Sequence, residues 1–290
     1  MTLTWGIVAW VLLGALLHAG WNTLVKSGSD QKLDTALVHF LGALVALPLL
    51  LWVGLPPAQA WPYIACSLVV HIAYYITLAG AYQHGDLSTT YPIMRGSAPL
   101  LVSLGSAALL GEALTPLAWA GVLAVTVGVA LVGLSNPGQA LHHKRALAFA
   151  LANAVVIATY TFIDGVGVRA TVAGGSWAIS YAVVLFVLDG FPYPAMVYLR
   201  RDAAGRREVH AYARRRWPMA VLGGAASLAS YAIALWAMTR APVAAVAALR
   251  ETSVLFATGL GVWLLKERFG AQRLTGAGVI VAGVVALRFG

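Results

Sequence analysis

Apolar residues run almost unbroken through ten stretches of the chain, each stopped by a short polar or Gly/Pro-rich break. The stretches lie at about 4–26, 33–54, 59–83, 87–110, 116–134, 145–168, 176–199, 217–239, 242–265 and 271–289, each near the ~20 residues that a helix needs to cross a bilayer. A backbone facing lipid must satisfy its hydrogen bonds internally, so the pattern predicts ten transmembrane helices and an all-α membrane protein. The period-2 alternation of a membrane barrel is absent. Breaks such as SGSDQK (27–32), LPPAQ (55–59), HGD (84–86) and RAP (240–242) are short enough to join antiparallel neighbours. Only the segment 200–216, RRDAAGRREVHAYARRR, is long and polar, and it reads as a loop between the seventh and eighth helices.

The pattern repeats. Arg95 and Glu112 are followed 155 residues later by Arg250 and Glu267 at the same spacing, and Gly121 and Gly128 are matched by Gly276 and Gly283. The chain therefore divides into residues 1–139 and 140–290, with five helices in each. An odd number of crossings forces the second copy to enter the membrane in the opposite direction, which predicts an inverted repeat around a central cavity.

Composition removes the soluble alternatives. Sixty per cent of the residues are hydrophobic and 10% are charged, too few polar groups to cover a water-exposed fold. MTLTWGIVAW has no basic region ahead of it, so it reads as the first span and not as a removable signal. The single cysteine, Cys66, excludes a disulfide framework and reads as a small buried hydrophobe. The net charge of +9 would point to nucleic acid in a soluble protein; here the cations gather in loops. Fourteen of them fall on one side of the ten-helix arrangement (Lys26, Lys32, Lys144, Arg145, the seven arginines of 200–216, Lys266, Arg268 and Arg273), against Arg169, Arg240 and Arg288 on the other. That bias places the first side in the cytoplasm and both termini outside it, in a multi-pass protein of a bacterial-type inner membrane.

Candidate chemistry lies within the spans. Arg95 and Arg250 each sit about eight residues into a helix, ~12 Å deep in a ~30 Å core. A charge at that depth belongs in the bundle interior, and a guanidinium there suits a carboxylate by two parallel hydrogen bonds. Their other reading is structural, through pairing of Arg95 with Glu251 or neutralisation of Arg250 by the adjacent Glu251. Trp21, Asn22, Tyr74, Tyr75, Tyr91, Tyr160, Tyr231 and Trp236 combine apolar bodies with polar tips, as a pocket for an amphipathic solute requires, and recur on the first and sixth and the third and eighth helices. Ordinary helix packing is the alternative for each. Glu251, Asp189 and Asp164 are the carboxylates within spans, candidates for carrying a proton or for a salt bridge. His18, His39 and His71 have no second ligand at i+4, so neither a metal nor any other cofactor is expected.

The stretches LGEALTPLAWAGVLAVTVGVALV (110–132) and LKERFGAQRLTGAGVIVAGVVAL (265–287), each preceded by an arginine in a span, resemble the EamA repeat of the drug/metabolite transporter superfamily, present twice. Within it the chain is most similar to the YddG-type amino-acid exporters. The resemblance implies a basket with a cavity between helices 1, 3, 4, 6, 8 and 9, and alternating access of the two halves. Many members have both termini in the cytoplasm, the opposite of what these loop charges indicate.

The expected function is a secondary transporter exporting amino acids, aromatic ones included, or similar small metabolites. Its partners are that solute and membrane lipid, with no nucleic acid, and a monomer suffices. A sugar-phosphate or nucleotide-sugar antiporter of the same superfamily is the alternative, though two arginines with Glu251 beside them are few for a dianion. A membrane enzyme would need a His/Asp/Glu/Ser constellation near one interface, and a receptor would not need buried charges repeated in both halves.

Overall fold

The computed structural model describes residues 2–84, 87–133, 144–265 and 270–290, all helix and connection, with no strand among them. The helices are α1 Trp5–Lys26, α2 Gln31–Val53, α3 Trp61–His84, α4 Leu87–Leu110, α5 Pro116–Gly133, α6 Lys144–Ala173, α7 Ala178–Asp189, α8 Pro192–Leu199, α9 Ala203–Met238, α10 Val243–Arg250, α11 Ser253–Leu265 and α12 Ala271–Phe289. They make ten segments long and apolar enough to span a membrane, with α7 and α8 together forming the seventh and α10 and α11 the ninth. Large apolar side chains stand outside the bundle, Leu51 at 89% and Trp52 at 77% exposure, as lipid requires and water would not allow. The protein is a multi-pass membrane protein. Cys66 is exposed on α3, not buried as expected, because that face of α3 points out of the bundle. Glu267, Lys266, Arg268 and the pair His142–His143 lie outside the described residues.

Local sequence sets the helix ends. Asp30 accepts from the backbone N–H groups of Lys32 and Leu33, both at 3.0 Å, and starts α2; Gly54, at φ 75°, stops it. Asp202 accepts from the Gly205 N–H at 2.8 Å and starts α9, which then runs 36 residues without a break. The polar segment expected as a loop is therefore mostly helix. Ala, Arg and Glu favour helix regardless of polarity, and the segment is anchored: Tyr212 and Arg216 both donate to the buried Asp34 of α2, at 2.9 Å and 3.1 Å.

Glycines set a close crossing. A Cβ on Gly121 would lie 2.8 Å from the Gly283 carbonyl oxygen, and one on Gly128 would lie 2.9 Å from that of Gly276. α5 and α12 thus cross antiparallel with their backbones in contact, the packing that small residues allow where lipid supplies no hydrophobic drive. The glycines paired by spacing in the sequence are exchanged in space, each touching the other's counterpart. Polar bonds fix two further pairs. Ser230 of α9 donates to the Gly14 carbonyl of α1 at 2.7 Å, and Asn153 of α6 donates to the Tyr74 carbonyl and the Thr77 hydroxyl of α3.

Loop residues sort to two ends. At one end Asp30 and Asp34 meet Arg201, Tyr212 and Arg216. At the other, Gly290 lies against Thr115 and Ala118, and Gly174 against Pro57 and Gln59. The basic segment and the C-terminus are on opposite ends of the bundle.

Candidate functional site

Halfway along the bundle, α4, α6 and α10 enclose a narrow cavity whose lining includes Arg95, Tyr160, Thr161, Arg250 and Glu251. Arg95 reaches it from α4, where Pro92 and Pro99 bracket the residue. Arg250 and Glu251 reach it from a discontinuity. α10 ends at Arg250, and the Glu251 and Thr252 N–H groups bond back to Ala248 and Leu249, both at 3.1 Å, before α11 begins. These i→i+3 bonds tighten the chain and put Arg250 at the carbonyl end of a half-helix, where a cation is favoured.

Arg95 is 9% exposed and Glu251 5%, and their Nε and Oε2 atoms stand 3.0 Å apart. Of the two roles the sequence left open for Arg95, this contact belongs to the structural one. The contact is an ion pair without hydrogen-bond alignment, and both atoms keep unmet hydrogen-bonding capacity. The terminal nitrogens of Arg95 donate to no protein acceptor among the described residues, and Arg95 lines the cavity. Arg250 makes no ion pair among the described residues, not even with the adjacent Glu251. Its guanidinium instead lies 5.1 Å from the centre of the Tyr231 ring, within cation–π range.

The aromatic candidates divide. Tyr160 lines the cavity and stacks on His71 at 4.6 Å; Tyr74 and Tyr91 pack in the same cluster as Tyr160 and Met94. Tyr231 joins them through Arg250. Trp21 and Asn22 turn back on their own helix: the indole donates to His18 Nδ1 at 3.3 Å and the amide to the His18 carbonyl at 2.7 Å. Tyr75 donates to Asp189 at 3.1 Å and stacks on Tyr193 at the break between α7 and α8, and its ring also packs edge-to-face on Tyr74 at 5.6 Å. Trp236 lies under Arg240 and beside Trp10, toward the end of α9. Asp164 is fully buried and bonded to tyrosines.

The sequence reading passed over Ser67 and weighed His18 and His71 only as metal ligands. His18 lies within Coulombic range of both arginines, and Ser67 and His71 stand near Asp164. A histidine or serine alone on an apolar helix carries no signal in sequence; only the partners brought by other helices identify it. A further feature is at the end of the bundle that holds the C-terminus. Glu112, noted in the sequence only as part of the repeat, accepts from Arg169 at 2.6 Å and from the Val243 N–H at 2.9 Å. Arg169 also donates to the Met238 and Ala241 carbonyls. One carboxylate thus caps the start of α10 while its partner arginine holds the end of α9.

Comparison with known proteins agrees with this architecture. The profile of the EamA-like transporter family matches residues 5–134, the first five spans, and so supports the drug/metabolite transporter superfamily and a small-molecule transporter. A protein of known crystal structure, 18% identical, superposes with a TM-score of 0.72 over 98% of this chain and 95% of its own, which establishes the shared fold. No curated protein matches the sequence.

Proposed function

We propose that this protein is a secondary transporter that exports amino acids, aromatic ones included, or similar small zwitterionic metabolites. The observation that carries the reading is Arg95 lining, with Arg250, a cavity flanked by tyrosines. Two guanidinium groups receive the carboxylate, and Tyr160 and Tyr231 supply the faces against which an apolar or aromatic side chain and an ammonium group pack. With Glu251 compensating Arg95, the centre holds one cation in excess locally, which suits a monoanionic carboxylate better than a phosphate dianion.

Residues 1–139 and 140–290 act as two inverted repeats in this reading. The reciprocal contacts Gly121 with Gly283 and Gly128 with Gly276 are what a two-fold axis in the membrane plane requires, and rocking about that axis exposes the midplane site to each side in turn. The Glu112–Arg169 contact ties the two repeats at one end and must open in each cycle. Exchange of radiolabelled phenylalanine across liposomes containing only this protein tests the reading: counterflow well above protein-free liposomes is expected. Absence of exchange for phenylalanine and for a panel of the other neutral amino acids would overturn the solute assignment.

The loop charges orient the molecule in the inner membrane with Gly290 outside the cytoplasm. A green fluorescent protein fused at Gly290 and exported through the general secretory route should stay dark in bacteria. Bright cells would reverse the orientation.

A further inference from the structure

We infer that Asp164 is a proton-binding site, linked through Tyr231 to Arg250, so that a proton and the carboxylate of the solute bind together. The linkage to the solute rests on the function proposed above; the proton site does not.

Asp164 is fully buried on α6, and α3, α7 and α9 each bring polar groups to it. Tyr181 of α7 donates to Oδ1 at 2.8 Å, and Tyr231 of α9 donates to Oδ2. The Ser67 hydroxyl and the His71 ring of α3 lie near the same carboxylate; His71 Nδ1 donates to the Ser67 carbonyl at 2.8 Å and lies 3.3 Å from its hydroxyl. Tyr160, on Asp164's own helix, stacks on His71, and Arg250 of α10 lies over Tyr231. Asp164 makes no ion pair among the described residues. A carboxylate taken out of water whose hydrogen bonds come from hydroxyls, with a histidine nearby and no ion pair, gains and loses a proton more readily than one fixed by an adjacent cation. Of the other two carboxylates within spans, Glu251 is paired with Arg95, and Asp189, which accepts from Tyr75, is only partly buried.

Charge balance gives the sign of the linkage. Arg95, Arg250, Glu251 and an ionised Asp164 sum to zero. Protonation converts the Asp164 carboxylate to the acid, forming one O–H bond and leaving one positive charge on the centre, at Arg250. The carboxylate end of an entering solute neutralises that charge. Proton and solute therefore move in the same direction, and a solute leaving the cell down its own gradient takes a proton with it.

Infrared difference spectroscopy of the purified full chain, titrated with pH and without solute, tests the site. A carboxylic-acid carbonyl band that grows as pH falls is expected, absent from Asp164→Asn and retained in Glu251→Gln. Replacing Arg250 by Gln removes the cation that favours the ionised form, so the midpoint of the Asp164 band should move to higher pH by about one unit, a tenfold gain in proton affinity. Should Asp164→Asn fail to fold, Tyr181→Phe and Tyr231→Phe each remove one hydroxyl donor and should shift the frequency of the same band. A pH-insensitive carboxyl region, or a band untouched by all three substitutions at Asp164, Tyr181 and Tyr231, overturns the site. A midpoint unmoved in Arg250→Gln overturns the linkage. In a second arm, adding phenylalanine to weakly buffered protein should take up about one proton per molecule bound. Binding without proton uptake also overturns the linkage, whereas no binding of phenylalanine, with the Asp164 band and its Arg250 shift intact, refutes only the proposed solute.

Discussion

Arg95→Ala should destabilise the protein in detergent by about 3–5 kcal/mol, and Glu251→Gln in the same chain should restore much of that loss. The reason is the enclosure of the pair. Arg95 and Glu251 are 9% and 5% exposed and 3.0 Å apart, so deleting the guanidinium strands a carboxylate in a medium of low dielectric. Arg250 is within Coulombic range of Glu251 and recovers part of the cost, which favours the lower end of the range. Removing the charge of Glu251 removes the stranded group, and the double variant should melt close to the parent. Transport should be lost in both Arg95→Ala and Arg95→Lys, since an ammonium cannot present the paired N–H donors of a guanidinium to a carboxylate. Thermal unfolding followed by tryptophan fluorescence, together with liposome exchange, separates the contributions. If Arg95→Ala melts like the parent and Glu251→Gln changes nothing, the pair is bathed in water and does not brace α4 against α10.

Gly128→Leu should be strongly destabilising, costing about 3 kcal/mol or more. The added Cβ would lie 2.9 Å from the Gly276 carbonyl oxygen and 2.9 Å from the Ile280 backbone nitrogen. Neither is the end of a flexible side chain, so α5 and α12 must separate. Gly278→Leu on α12 provides the control, because nothing stands within 4 Å of its Cβ position and leucine favours helix over glycine. That variant should be as stable as the parent. Equal melting temperatures for the two leucine variants would mean that the glycine crossing is not what holds the two helices together.

Much of the architecture was legible along the chain. Ten apolar runs with short breaks predicted ten spans, because a lipid solvent leaves the backbone no other way to satisfy its hydrogen bonds. The spacing shared by Gly121, Gly128, Gly276 and Gly283 anticipated a special contact, though not that each glycine would face the counterpart of the other. The segment 200–216 was misjudged because hydropathy measures where a helix may lie and not whether it forms; the anchorage of Tyr212 and Arg216 on Asp34 comes from another part of the chain.

The candidate site was less legible. Arg95, Arg250, Tyr160 and Tyr231 were visible as polar or aromatic groups within spans, and the structure gathers them. Tyr75 and Asp189 looked equivalent to them in sequence but do not line the cavity; Tyr75 reaches the cluster only through the edge of the Tyr74 ring and gives its hydroxyl to Asp189. Adjacent residues point about 100° away from each other around a helix, which explains why Glu251 pairs with Arg95 across the bundle and leaves its neighbour Arg250 to Tyr231. What the sequence by itself determined was the solvent of this protein, the number and length of its spans, and the buried charges that a membrane tolerates only for a reason. Those follow from local transfer free energies, which each residue carries wherever it is placed. Which carboxylate each arginine meets, which hydroxyls enclose Asp164, and where the seventh and ninth spans break were decided only by tertiary structure. They depend on helix rotation and on partners far away in the chain, and no local pattern encodes either.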